Sequence, residues 1–320
     1  MRFVLLVALA ALAGMPAVAE RVAITSVPVP LDGDRPERQG VGRLTYLAGY
    51  ELKAVHEGWG GFSDLELAAD GAELRAVADQ GFYLSLAIAL DAEGRLLAPD
   101  RADLARLIGL DGQPLGGKRG ADAEATARLD DGSLVIAFEQ RHRLVRYPPG
   151  QPPTATRPVP FPAPGRLSRL PPNGGIEALA ALPQSRLLAL AEDPLEGETE
   201  GAAWLQDAAG WHRLTVRRSL LFRPTAAALL PGGDVLLLER RFTLIGGVAA
   251  RLSRIPAGTI RPGAALVPEP LAELASPLTV DNFEGIAIGR GPRGETLVYL
   301  ISDDNTNMLQ RTLLLQFRLD

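Results

Sequence analysis

Carboxylates recur in this chain inside segments that otherwise read as buried strands. Glu284 stands between an aromatic and a run of small apolar residues in "NFEGIAIG". Glu177 in "GGIEALA" and Glu124 in "ADAEATA" take the same place, and Asp64 in "FSDLEL" aligns with them. A second set, Asp79, Glu139, Glu192, Glu239 and Asp303, ends the apolar run that follows each of five such segments. A buried carboxylate is costly unless it is protonated, paired or bound to a cation. Several of them converging on one narrow channel would repel strongly. Oxygen donors without thiolates or clustered histidines suit Ca2+ better than zinc. The expected cofactor is therefore Ca2+. The expected metal ligands are Glu284, Glu177, Glu124 and Asp64 on an inner ring, with Asp79, Glu139, Glu192 and Asp303 outside it.

Basic residues follow the outer acids directly. Arg141, Arg240 and Arg241 stand next to them, and Lys118 with Arg119 precede the second segment. These cations could clamp a phosphate, or they could pair with the carboxylates around them. His142 follows Arg141 and is the candidate general base; otherwise it is a solvated turn residue. The expected catalytic set is Arg240, Arg141 and His142. The three histidines show no metal spacing, and no G-x-S-x-G nucleophile elbow is present.

Five repeats must position these groups: residues 61–81, 121–141, 174–193, 223–241 and 282–305. Each has an apolar strand, a tight turn and a second strand. The turns "ADGAE", "DDGS" and "PGGD" carry the residues that tolerate positive φ. Third strands are expected at 82–90, 144–147, 202–206, 248–255 and 313–319, with a fourth at 211–216. In an antiparallel hairpin the first strand starts and the second ends at one edge, so both acid sets should open on one face. The repeat spacing predicts an all-β fold, a single β-propeller of five or six blades. The stretch "GRLTYLAGYELKA" (42–54) is expected as the strand that closes the last blade, and 22–29 as an edge strand. The rival reading is two β domains divided at the Pro-rich stretch 148–165. One short helix is expected at 102–110. Phe62, Phe138, Phe242 and Phe283 are expected to pack between blades.

The first residues, "MRFVLLVALAALAGMPAVAE", have one positive charge, a short apolar run and small residues before a cut after Ala19. That is the pattern of a secretory signal peptide. The run is shorter than the ~20 residues of a spanning helix. Residues 1–19 are thus expected as signal and 20–320 as one propeller domain, periplasmic or secreted, with no membrane span after cleavage. Loss of Arg2 takes the formal net charge from −5 to −6. An acidic chain makes a poor nucleic-acid partner. With no cysteine, disulfides and thiol chemistry are excluded. The expected state is a monomer.

Taken together, "GFSDLEL…AVADQG", "ADAEATA…DGSLVIAFE", "GGIEALA…LLALAED", "VLLLERRF" and above all "NFEGIAIG…LVYLISDDN…QRTLLLQF" resemble the bacterial phytase-like domain proteins with esterase-like activity. The resemblance spans the chain after the signal. It implies an exported propeller and a hydrolase related to calcium-dependent propeller phytases. The expected partner is a small-molecule ester or phosphate ester. Two alternatives stay open: a non-catalytic periplasmic binding module with structural Ca2+, and a lactonase-like propeller.

Overall fold

A computed structural model describes residues 19–219, 221–305, 307 and 309–320, without the side chains of Lys118 and Arg119. Eighteen of the expected signal's nineteen residues, all but Ala19, therefore lie outside it. The strands form five separate sheets. Their innermost strands are Phe62–Leu67, Ala123–Arg128, Ile176–Leu182, Arg223–Leu229 and Phe283–Arg290. Each of these touches the one before and the one after, and the last touches the first. The result is a five-bladed β-propeller, blades 1 to 5 in chain order.

Alternation along the strands makes the ring. In blade 3, Leu188 and Leu190 enter the core shared with blade 4, while Leu187, Ala189 and Ala191 enter the core shared with blade 2. Successive side chains leave a strand on opposite faces, so one apolar strand serves two seams. Five buried clusters result, one at each seam. The turns follow the expected chemistry: Gly71, Gly132 and Gly233 have φ of 72°, 81° and 92°.

Blade 5 is closed by the strand Leu44–Lys53, which pairs antiparallel with Leu313–Leu319. The 22–29 stretch serves two blades: Glu20–Ala23 pairs in blade 1 and Thr25–Pro28 in blade 5. The Pro-rich 148–165 stretch is no domain boundary. It contributes Val159–Phe161, the fourth strand of blade 2.

Two expectations are corrected. The expected helix at 102–110 is a strand, Arg101–Arg106, held between Phe82–Ala87 and Glu20–Ala23. Its Ala and Leu residues favour helix, but burial of Ala102 and Leu104 on one face favours the sheet. The helix that does form is one turn, Lys118–Ala121. Phe62, Phe138 and Phe283 are buried in seams, but Phe242 is 63% exposed. The second strand of blade 4 runs on to Thr243, beyond the point where the other four blades turn, and it carries Phe242 out of the packing.

Candidate metal centre

Every blade has an irregularity near the start of its inner strand. Register shifts fall between Ser63 and Glu66, Ala137 and Phe138, Ile176 and Ala178, Pro224 and Ala226, and Phe283 and Gly285. In blades 2 to 5 the residue left out of cross-strand pairing is Glu124, Glu177, Thr225 or Glu284. A bulge re-aims a side chain out of the sheet's alternation. It explains how a carboxylate can sit inside an apolar strand without entering the seam.

A repeated backbone contact fixes which positions are equivalent. Asp79, Glu139, Glu192 and Asp303 each donate their N–H, at 2.8–3.0 Å, to the carbonyls of Gly61, Asp122, Gly175 and Asn282 respectively. Two residues beyond those acceptors stand Ser63, Glu124, Glu177 and Glu284. Ser63 therefore holds the inner position of blade 1, and the expected alignment of Asp64 is off by one residue. The Ser63 hydroxyl donates to Glu124 Oε2 at 3.1 Å. Asp64 itself is turned aside with φ of 57°. It accepts from the Leu65 N–H at 2.7 Å and from the Thr126 N–H and hydroxyl at 2.5 and 3.0 Å. Burial pushes its pKa to about 7 against those bonds. It is a clamp between blades 1 and 2, apart from the other acids.

Asp79, Asp122 and Glu124 present ligand oxygens that all lie within 4.8 Å of one another. Two oxygens on opposite sides of one Ca2+, at roughly 2.4 Å each, stand about that far apart. The donors are all carboxylate oxygens, two of the three residues are buried, and they come from two blades. This set fits a hard divalent cation. Asp122 was not foreseen from the sequence, although "DAE" places it two residues before Glu124.

The remaining carboxylates crowd the same face. Burial, followed by Asp79, Glu284, Asp122 and Glu139, holds Glu124 well above the usual carboxylate range. Glu177 is raised likewise, by burial and then by Glu124, Glu139 and Glu192. It shares a hydrogen bond with Glu139, which raises it further. Glu139 is raised by burial, against that bond and against the Gly175 N–H, which it accepts at 2.5 Å. Asp303 is pushed up to about 9 by burial, then by Glu284 and Asp79. Glu284 rises to about 7 by burial, eased by Arg240 and by an amide bond from Asn282 at 2.8 Å.

Blade 4 breaks the pattern with consequences for charge. Its inner position is Thr225, whose hydroxyl donates to the Phe283 carbonyl at 3.1 Å. Its outer acid, Glu239, is fully engaged by Arg251 at 2.7 and 2.9 Å and by Ser253 at 2.6 Å. What blade 4 offers the face is a cation. Arg240 lies 3.1 Å from Glu192 and 3.6 Å from Glu284. Burial would lower its pKa, but Glu284, Glu192, Glu177 and Asp303 outweigh that, and the net shift is upward.

Arg240 also lines a cleft of about 450 Å³ with Glu192, Thr199, Arg218, Leu221, Arg223 and Phe242. The other two expected catalytic residues are not brought to it. Arg141 lines a separate cleft with Phe138, Arg143 and Tyr147. His142 places Nε2 2.9 Å from the Pro171 carbonyl, which fixes the proton there and leaves Nδ1 an acceptor. Nδ1 is buried with no hydrogen-bond partner among the described residues, and a Cβ on Gly175 would come within 2.9 Å of it and 3.0 Å of Glu139 Cγ. Arg241 turns to Glu273 at 3.3 Å. The Lys118 and Arg119 side chains lie outside the described residues.

The model of the phytase-like family, described as "esterase-like activity of phytase", matches residues 57–306, from the loop before blade 1 to the loop after the second strand of blade 5. The chain belongs to the phytase-like family. No curated protein matches this phytase-like chain. Among solved structures it is similar to a proposed gluconolactonase, at 14% identity over 97% of each chain with a TM-score of 0.43. It is similar to virginiamycin B lyase from Staphylococcus aureus at 8% identity over 93% of this chain and 100% of that one, TM-score 0.42. It is also similar to the PQQ-bound aldose sugar dehydrogenase from Streptomyces coelicolor at 15% identity over 85% and 98%, TM-score 0.37. At such scores the chemistry of those proteins stays with them. Among the described residues no helix is long and apolar enough to cross a membrane.

Proposed function

We propose that this phytase-like protein is a Ca2+-dependent hydrolase of phosphate esters or related esters, exported by the signal in residues 1–19 and acting as a monomeric propeller of residues 20–320. The observation that carries the reading is the placement of Arg240 within salt-bridge distance of Glu284 and Glu192 on the face where the carboxylates converge. Acids that gather a cation and a guanidinium that binds an anion are the two halves of a phosphoester site.

Asp79, Asp122 and Glu124 would hold the cation. When bound, it supplies Lewis-acid polarisation of an ester oxygen and an acidified water. The rest falls to the chain's own side chains. Arg240 and Arg223 bind the anionic group of the substrate. His142, with Nδ1 buried outside the Arg240 cleft, takes no part. Glu284 and Asp303, held neutral or nearly so by burial and crowding, are placed to give a proton to the leaving group. Bulges at the inner strands keep Glu124 and Glu284 on a rigid sheet rather than on loops, which favours orientation.

A second reading has its own support. The three ligand candidates span blades 1 and 2, so a cation there would staple that seam whether or not a reaction takes place. One experiment separates the two. The purified mature protein is assayed for bound calcium, and its melting and its turnover of 4-nitrophenyl phosphate are measured in calcium and in chelator. Calcium-dependent turnover supports the hydrolase. A melting shift without turnover of phosphate or carboxylate esters supports the structural ion alone. Absence of bound calcium overturns both.

A further inference from the structure

Six large hydrophobic side chains stand out as unburied: Val55, Leu221, Phe242, Leu244, Ile245 and Leu309, each 62–103% exposed. No other exposed large hydrophobic among the described residues exceeds 52%. All six lie in connections that open on the acidic face: the loop into blade 1, the loop into blade 4, the overshooting hairpin of blade 4, and the loop after Asp303. Scattered apolar side chains on a surface need no explanation, but their restriction to one face does.

Two of them, Leu221 and Phe242, line the cleft that holds Arg218, Arg223 and Arg240. Arg240 is bonded to Glu192 at 3.1 Å, but the other two cations are loosely held. Arg223 is 3.5 Å from both Glu192 and Asp193, and Arg218 is 3.9 Å from Asp193. By contrast, Arg251 grips the buried Glu239 through two bonds of 2.7 and 2.9 Å. A guanidinium has five donors, so contacts this long leave most of that capacity for a ligand. The cleft therefore presents donors for an anion at its base and apolar side chains at its lip. The hairpin continues that lip outward through Leu244 and Ile245. Its volume is within the range of small-molecule sites.

We infer that this cleft takes an anionic amphiphile, a phosphate ester whose alcohol is an alkyl chain. The head group sits on Arg223 and Arg240, and the chain lies along Leu221 and Phe242 toward the hairpin tip. The inference rests on the proposed phosphoester site for its choice of head group, but it concerns binding alone and does not require turnover.

The test is calorimetric titration of the full-length mature protein with methyl phosphate and with octyl phosphate below its micelle concentration, in calcium and in chelator. Octyl phosphate is expected to bind at least about tenfold tighter than methyl phosphate, because several methylenes leave water. The preference is expected to persist in chelator, which separates it from the metal reading. In Leu221→Ser/Phe242→Ser the two ligands are expected to bind alike; both positions are exposed, so melting should match the parent. In Arg223→Ala both ligands should weaken together. Equal affinity of the parent for both ligands, or an undiminished preference in the double variant, overturns the inference. So does binding to phosphatidylcholine vesicles without any binding of monomeric octyl phosphate, which would make the lip a membrane contact.

Discussion

Ser63 and Glu124 meet across the first seam, the hydroxyl donating to Oε2 at 3.1 Å. They hold the same position in consecutive blades, so the ring of inner positions reads Ser63, Glu124, Glu177, Thr225, Glu284. Three carboxylates and two hydroxyls share the axis. The hydroxyls stand on either side of Glu284 and part it from Glu124 and Glu177, and they relieve a crowding that five carboxylates would make worse.

Removing one ligand candidate should have opposite effects with and without calcium. Glu124→Gln takes away a carboxylate that burial and four neighbouring acids already disfavour. In chelator the variant is expected to melt at or above the parent temperature. In calcium it should lose most of the calcium-induced shift, with affinity for the ion down about tenfold or more. Melting curves at a series of calcium concentrations check both arms. A full calcium shift in the variant would remove Glu124 from the metal site.

The pH dependence in chelator has a definite sign. Glu284 and Asp303 have folded-state values raised to about 7 and about 9, above those of an unfolded chain. Between the two states' values the folded protein holds protons that the unfolded one has released, so stability falls as pH rises. The loss begins above the ordinary carboxylate range and is complete above about pH 9. Melting in chelator is expected to be lower at pH 9 than at pH 5, by about 5 °C or more. Saturating calcium takes the place of the protons and should flatten that slope. A chelated protein equally stable at both pH values would refute the account.

Arg240→Ala should cut kcat/KM for 4-nitrophenyl phosphate by about 100-fold, the scale of a lost charge-stabilising donor. Arg240→Lys should recover only part, because an ammonium cannot reach Glu192, Glu284 and a phosphate with a planar fork. Bound calcium, measured in parallel, should be retained. Turnover equal to the parent would leave Arg240 a counter-ion and nothing more.

Arg251→Ala provides the contrast. It strands Glu239 in a dry seam, with a cost of about 3–5 kcal/mol, and denaturant unfolding should register it. The residual folded protein should bind calcium with the parent's affinity, because Glu239 is already neutralised and contributes nothing to the metal face. A changed calcium affinity would mean that blade 4 feeds the site after all.

Much of this was legible in the sequence, and the failures share a cause. The hairpin pattern and its turn residues located all five pairs of inner strands, and the acids ending the second strands followed from it. Asp64 was misaligned because a bulge inserts a residue without changing composition, and a period of two cannot register it. Asp122 was overlooked because the repeat varies there: Gly61, Gly175, Arg223 and Asn282 stand in the matching places. The run 102–110 misled because its Ala and Leu suit a helix, and only two neighbouring strands decide otherwise. Glu239 looked like its four counterparts because Arg251 and Ser253, which neutralise it, arrive from the next strand.

The closing strand imposes an order on events in time. Leu44–Lys53 is made among the first and pairs with Leu313–Leu319, made last, and the join is latched by Arg43 and Thr45 on Asp320. Until Leu313–Leu319 has been made, Leu44–Lys53 lacks the strand it pairs with. Contacts of such sequence separation form slowly, and exposed strand edges meanwhile invite association. The ring therefore closes only once Leu313–Leu319 is available.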